Sequence, residues 1–78
     1  MSAPILGAKY TIHIDPPVAP ADGVQYIGYA QPNTSEAEDA WAIFRITYAT
    51  SEPADIEWAQ GTNHFTNVWD NRAGYTYS

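Results

Sequence analysis

The chain contains no cysteine, which removes disulfide staples and thiolate metal ligation together. Basic residues are scarce as well. Only Lys9, Arg45 and Arg72 stand against nine acids, for a formal net charge of −6. Binding to nucleic-acid phosphates needs clustered Lys and Arg, so DNA, RNA and anionic membrane surfaces are all disfavoured partners. No apolar run approaches the ~20 residues of a membrane-spanning helix. The opening Met-Ser-Ala-Pro-Ile-Leu lacks the basic start and long apolar stretch of a secretory signal. A soluble chain made in a cytoplasm is expected. Length is short too: 78 residues make one small domain. A domain of that size buries only about 60–65% of its unfolded surface. Its core rarely supplies more than ~3–5 kcal/mol without a staple. The staple still available is a partner chain, so self-association or docking is expected on physical grounds.

What the chain has in quantity is aromatic surface, the largest apolar area a short sequence can bury. All three tryptophans and both phenylalanines fall between Trp41 and Trp69, and six tyrosines surround them. The candidate core is Tyr26, Trp41, Ile43, Phe44, Ile46, Ile56, Trp58, Phe65, Val68 and Trp69. Strict alternation over residues 9–14 predicts a half-buried strand, with Tyr10, Ile12 and Ile14 on one face and Lys9, Thr11 and His13 on the other. Residues 15–23 carry three prolines and read as an extended spacer. Residues 24–30 form a second strand, with Gly28 marking a bulge or a close approach. Ser35 and Glu38 fit a capping box, so either a short helix ending near Ala40 or an acidic loop follows.

Residues 41–48, rich in aromatic and β-branched types, make the strongest strand. A loop over 49–54, broken at Pro53, leads to a strand over 55–60 whose Ile56 and Trp58 face inward. From Phe65, spacings of three and four predict a short helical or 3₁₀ segment, stopped at Ala73-Gly74. Tyr75 to Ser78 closes as a short strand. The fold class is therefore all-β, a small antiparallel sandwich or barrel-like module (24–78) with one short helical or 3₁₀ segment. It is preceded by an extended N-terminal arm (1–23) holding the strand at 9–14 and the Pro-rich spacer at 15–23.

Catalytic chemistry is poorly supplied. His64 has Glu57 and Asp70 as candidate acid/base neighbours, but no nucleophile with an oriented base accompanies it. An enzyme is not expected, nor any cofactor. His13 is expected to face solvent. The acids Glu36, Glu38 and Asp39 lack the alternating ligands and turn glycine of a calcium loop, which favours a solvated capping run. Arg72 follows Trp69 by three residues, and two roles stay open for it: stacking or pairing within the fold, or anchoring an interface. Six tyrosines exceed what so small a core can bury with satisfied hydroxyls. Tyr29, Tyr48, Tyr75 and Tyr77 are therefore interface candidates beside Arg72. Tyr10, Ile12 and Ile14 join them, because the first strand could add to the sheet edge of a neighbour.

Several blocks stand in order between Tyr26 and Ser78: Tyr26-Ile27-Gly28-Tyr29, Ala40-Trp41-Ala42-Ile43-Phe44-Arg45-Ile46-Thr47-Tyr48 and Ile56-Glu57-Trp58-Ala59. Phe65-Thr66-Asn67-Val68-Trp69-Asp70-Asn71-Arg72-Ala73 and Tyr75-Thr76-Tyr77-Ser78 complete them. This pattern resembles a family of short bacteriophage virion structural proteins, over about two thirds of the chain. The resemblance implies a β-rich virion component made in the host cytoplasm. Such a component would assemble with itself, a trimer being favoured, and with capsid or tail subunits. Capsid decoration and tail or fibre attachment both fit. Two alternatives stand beside it. One is a carbohydrate-binding module of a tail fibre, with Trp58, Trp69 or Tyr75 as platform beside Asp55, Asn67 and Asp70. The other is an acidic inhibitor of a host enzyme.

Overall fold

A computed structural model describes residues 9–78. Four strands, β1 (Thr11–Asp15), β2 (Gly23–Ala30), β3 (Ala42–Ala49) and β4 (Glu52–Trp58), form one antiparallel sheet in sequence order. The protein is all-β, with a single 3₁₀ segment among the described residues, at Trp69–Gly74. The β3–β4 turn has two residues, Thr50 and Ser51, both with positive φ (55° and 66°). That backbone suits the right-handed twist of the flanking strands. Glu52 pairs with Ala49 and Pro53 with Tyr48, so Pro53 lies inside β4 rather than breaking it. Proline is tolerated there because β4 is an edge strand and its missing N–H would face outward. A register slip between Thr47 and Tyr48 leaves Ala54 as the extra residue, a bulge that further bends this edge.

β1 pairs with β2 along its whole length, from Thr11↔Ala30 to Asp15↔Tyr26. The expected strand at 9–14 is therefore an integral edge of the sheet and not part of an arm standing apart from it. Residues 1–8 of that arm lie outside the described residues. The Pro-rich stretch after β1 is a hairpin connection tied down at both sides. Gln25 donates through Nε2 to the Pro16 carbonyl at 2.9 Å, and the Ser51 N–H donates to the Ala21 carbonyl at 2.8 Å.

One face of the sheet is covered by the segment after β4, which runs back across it as coil and 3₁₀ turn. Trp41 and Asn67 exchange both backbone hydrogen bonds, at 2.9 and 3.0 Å. Trp58 and Ser78 do the same, at 2.9 and 3.1 Å. The second layer is thus a C-terminal strap, not a second sheet or a closed barrel. Between strap and sheet lie Ala30, Trp41, Ile43, Ala59, Trp69 and Tyr77. The Trp41 and Trp69 rings meet at 5.9 Å between centroids. Gly28 is what lets them in. A Cβ placed there would lie 2.5 Å from Cε3 of Trp69, so this strand glycine marks a close approach and not a bulge.

The capping-box chemistry expected at Ser35 is present without a helix. The Ser35 N–H donates to Oε1 of Glu38 at 3.0 Å, and the Ala37 N–H donates to Oγ of Ser35 at 3.2 Å. These bonds shape a tight acidic loop. Trp41 closes it by donating Nε1–H to the Ser35 carbonyl at 2.9 Å.

Candidate functional site: a charged covered face and a bare apolar one

Side chains alternate across a strand, so the register assigns each residue to a face. The covered face carries His13, Asp15, Tyr26, Ile43, Arg45 and Glu57 from the four strands. Its charges are paired. Arg45 donates to Glu57 at 2.6 Å, directly across β3 and β4, with its guanidinium 4.6 Å above the Tyr77 ring. Arg72 donates from Nε and Nη2 to Oδ2 of Asp15 at 3.1 and 2.8 Å while lying 4.6 Å over Trp69. Arg72 thus works inside the fold, fastening the strap to β1. Its Nη1 also donates to the Trp69 carbonyl at 3.1 Å.

His13 corrects an expectation. Its side chain is only 32% exposed: the ring packs 4.8 Å from Trp41 and 5.6 Å from Trp69, and Nδ1 lies 2.8 Å from Oε2 of Glu36. A shallow cleft here is lined by His13, Asp15, Glu36, Trp69 and Arg72. Each of its charged groups is already engaged with another. Tyr77, a candidate for an interface, is carried by the strap with its ring buried against the sheet, and it donates its hydroxyl to the Arg72 carbonyl at 2.7 Å. Burial pushes its phenol up to about 12, with Tyr26 adding to the shift and Arg45 opposing it. Tyr75 is half-buried, and its hydroxyl accepts the Val68 N–H at 2.7 Å.

The opposite face has a different character. Following the register, it presents Ile12 and Ile14 from β1, Gln25, Ile27 and Tyr29 from β2, and Ala42, Phe44, Ile46 and Tyr48 from β3. Ile56 and Trp58 complete it from β4. No Asp, Glu, Lys, Arg or His stands among these positions. Ala42 and Gln25 are nonetheless buried, at 0% and 7% exposed, but among the described residues no strand or helix is layered over the rest of this face. Ile12, Ile14 and Ile56 remain 60%, 47% and 61% exposed, and Phe65 40%. Ile56 and Phe65 are therefore not core residues. Phe44, Ile46 and Trp58, expected in the core, are half-buried on this face, with Phe44 and Trp58 in ring contact at 5.1 Å. Tyr26 and Val68 are half-buried within the covered layer. At one corner Phe65 stacks on Tyr10 at 6.0 Å and meets Tyr29 edge-on at 5.3 Å. At the opposite end Tyr48 donates its hydroxyl to Oε1 of Gln25 at 2.8 Å.

The periodicity of β1 points to the isoleucine side as the packed one, and the strap reverses this. Trp41 and Trp69 arrive over His13 from 28 and 56 residues away, and no local pattern records that.

Of the alternative glycan platforms, Trp69 is buried, Tyr75 is half-buried with its hydroxyl on the Val68 N–H, and Trp58 is half-buried on the bare face. Asn67, one of the proposed glycan acceptors, is fully buried. His64 is exposed, its N–H held by Oγ1 of Thr62 at 3.2 Å, and no ion pair joins it to Asp70 or Glu57. Asp15, Glu36 and Glu57 lie beside Arg72, His13 and Arg45 respectively. Among the described residues no cluster of three or more His, Asp or Glu is placed to hold a metal. Among them, too, no helix is long and apolar enough to cross a membrane. Comparison with protein-family models, with characterised proteins and with solved structures returns no match.

Proposed function

We propose that this chain is a non-enzymatic structural protein of a bacteriophage virion, a small β module that docks through its bare sheet face during assembly. One observation carries the docking part of this reading. A continuous sheet face without a single charged side chain leaves isoleucines at positions 14 and 56 about half or more exposed, at 47% and 61%. Soluble monomers rarely tolerate a contiguous apolar patch larger than a few hundred Å² unless it meets something. The virion part rests on the resemblance of the Trp-centred blocks between Tyr26 and Ser78. Capsid and tail or fibre positions serve equally well.

The test is physical co-purification. Particles of a phage encoding this chain, banded on a density gradient and examined by quantitative mass spectrometry, should contain it in stoichiometric ratio to a capsid or tail protein. Ile14→Lys and Ile56→Lys should lower that occupancy. A chain abundant in the infected lysate but missing from banded particles would end the proposal.

A further inference from the structure

A sheet with one packed face and one bare apolar face lacks the second layer that stable domains are built from. Taking that face to be the docking surface just proposed, we infer that its occupant is the same face of a second copy. The two sheets stack about a two-fold axis into a sandwich of eight strands, four from each chain. The trimer favoured by the resemblance gives way to a pair.

Three observations favour a second copy. The first is charge. A chain of net charge −6 would repel itself through most of its surface. Here the paired charges, Arg45 with Glu57 and Arg72 with Asp15, stand on the far side of the sheet. Two bare faces can meet with no like charges opposed.

The second is hydrogen bonding. Burying a polar group without a partner is costly. The two long polar side chains at the end of this face already satisfy each other, Tyr48 donating to Gln25 and Gln25 to the Pro16 carbonyl. They ask nothing of the incoming layer.

The third is area. The two central strands are eight residues each. At roughly 3.3 Å per residue and 4.8 Å between strands, strands of five, eight, eight and seven residues present about 450 Å². Two such faces bury about 900 Å² in projection, close to the roughly 1,000 Å² of the smallest specific interfaces. An eight-residue segment with two large aliphatic side chains, such as residues 1–8 with Ile5 and Leu6, offers far less. A self-complementary face about a two-fold also closes after two copies and leaves no open edge of the interface.

Sedimentation equilibrium of the full chain from 1 to 200 µM is the test. The expected result is the mass of two 8.6 kDa chains. Ile14→Lys and Ile56→Lys should each raise the dissociation constant at least tenfold, while near-ultraviolet circular dichroism keeps the signal of packed Trp41 and Trp69. Asn71→Lys, on the strap side, should change nothing. Ile56→Ala serves as a milder variant if a lysine disturbs the fold.

A wild-type monomer across the whole range would overturn the pairing, as would a trimer or an association untouched by the lysine variants. So would a monomer that dimerises only after residues 1–8 are deleted, because the chain's own start would then occupy the face. A monomer still found in banded particles would defeat the pairing and leave the virion role standing. A pair absent from particles would do the reverse.

Discussion

At the scale of single residues, Gly28 and Tyr77 carry the clearest consequences. Gly28 faces the Trp69 ring so closely that an added methyl would sit 2.5 Å from Cε3 and 2.6 Å from Cζ3. The ring is buried and cannot swing away cheaply. Gly28→Ala is expected to cost about 1–3 kcal/mol through overpacking, read as a lower urea midpoint with unchanged slope. Tyr77 gives a pH signature. Its phenol titrates near 10 in the unfolded chain and near 12 in the fold, so the folded state holds the proton that the unfolded state loses. Its contribution is complete below pH 10 and disappears as pH rises toward 12, on the order of 3 kcal/mol at most. Tyr77→Phe should flatten the alkaline limb of the stability profile over that interval. Identical slopes for both proteins would refute the assignment. The clue to Gly28 is present in the sequence, as a glycine inside a β-branched and aromatic run. Its partner ring is not, because Trp69 lies 41 positions further along.

At the scale of elements, the β3–β4 hairpin places two residues poorly suited to their backbone. Thr50 and Ser51 hold positive φ, and Thr50 is β-branched, where such a conformation is strained. Replacing the pair by Asn-Gly, the favoured residues for this turn, should stabilise the protein by about 1 kcal/mol. Chemical denaturation would show a higher midpoint at constant slope. The Thr50 N–H to Asp22 and Ser51 N–H to Ala21 bonds use backbone donors and survive the change. All four strands are legible in the sequence, because β-branched and aromatic runs between Pro, Gly and Asn punctuation leave few alternatives. The turn is not, since neither Thr nor Ser announces a left-handed backbone. Nor is the inward face of β1: Ile12 and Ile14 alternate as a buried strand should, yet the strap settles on His13. Pro53 likewise reads as a breaker unless the strand is known to be an edge. The local bonds of Ser35 and Glu38 were readable, but they cap a loop.

At the scale of the whole molecule, cohesion depends on the strap. Residues 75–78 contribute the Tyr77 ring over Tyr26 and beneath Arg45, the Tyr75 hydroxyl and the backbone pairing of Ser78 with Trp58. Truncation after Gly74 should abolish cooperative unfolding, since Trp41 and Trp69 would lose the cover on one flank. Scanning calorimetry would then show no transition where the full chain has one. The bare face is half legible: alternation along β1 sets Ile12 and Ile14 on one side, and both are exposed. What stayed hidden is that a single face gathers the unmet burial, because this depends on which side the strap chooses. The same division distributes the indoles unequally. Trp41 and Trp69 are sealed in the core while Trp58 lies on the bare face. The protein therefore carries its own optical reporter: in the unpaired Ile14→Lys chain iodide should quench Trp58 and spare the two shielded indoles, and pairing of the wild-type chain should silence that quenching without a label being attached.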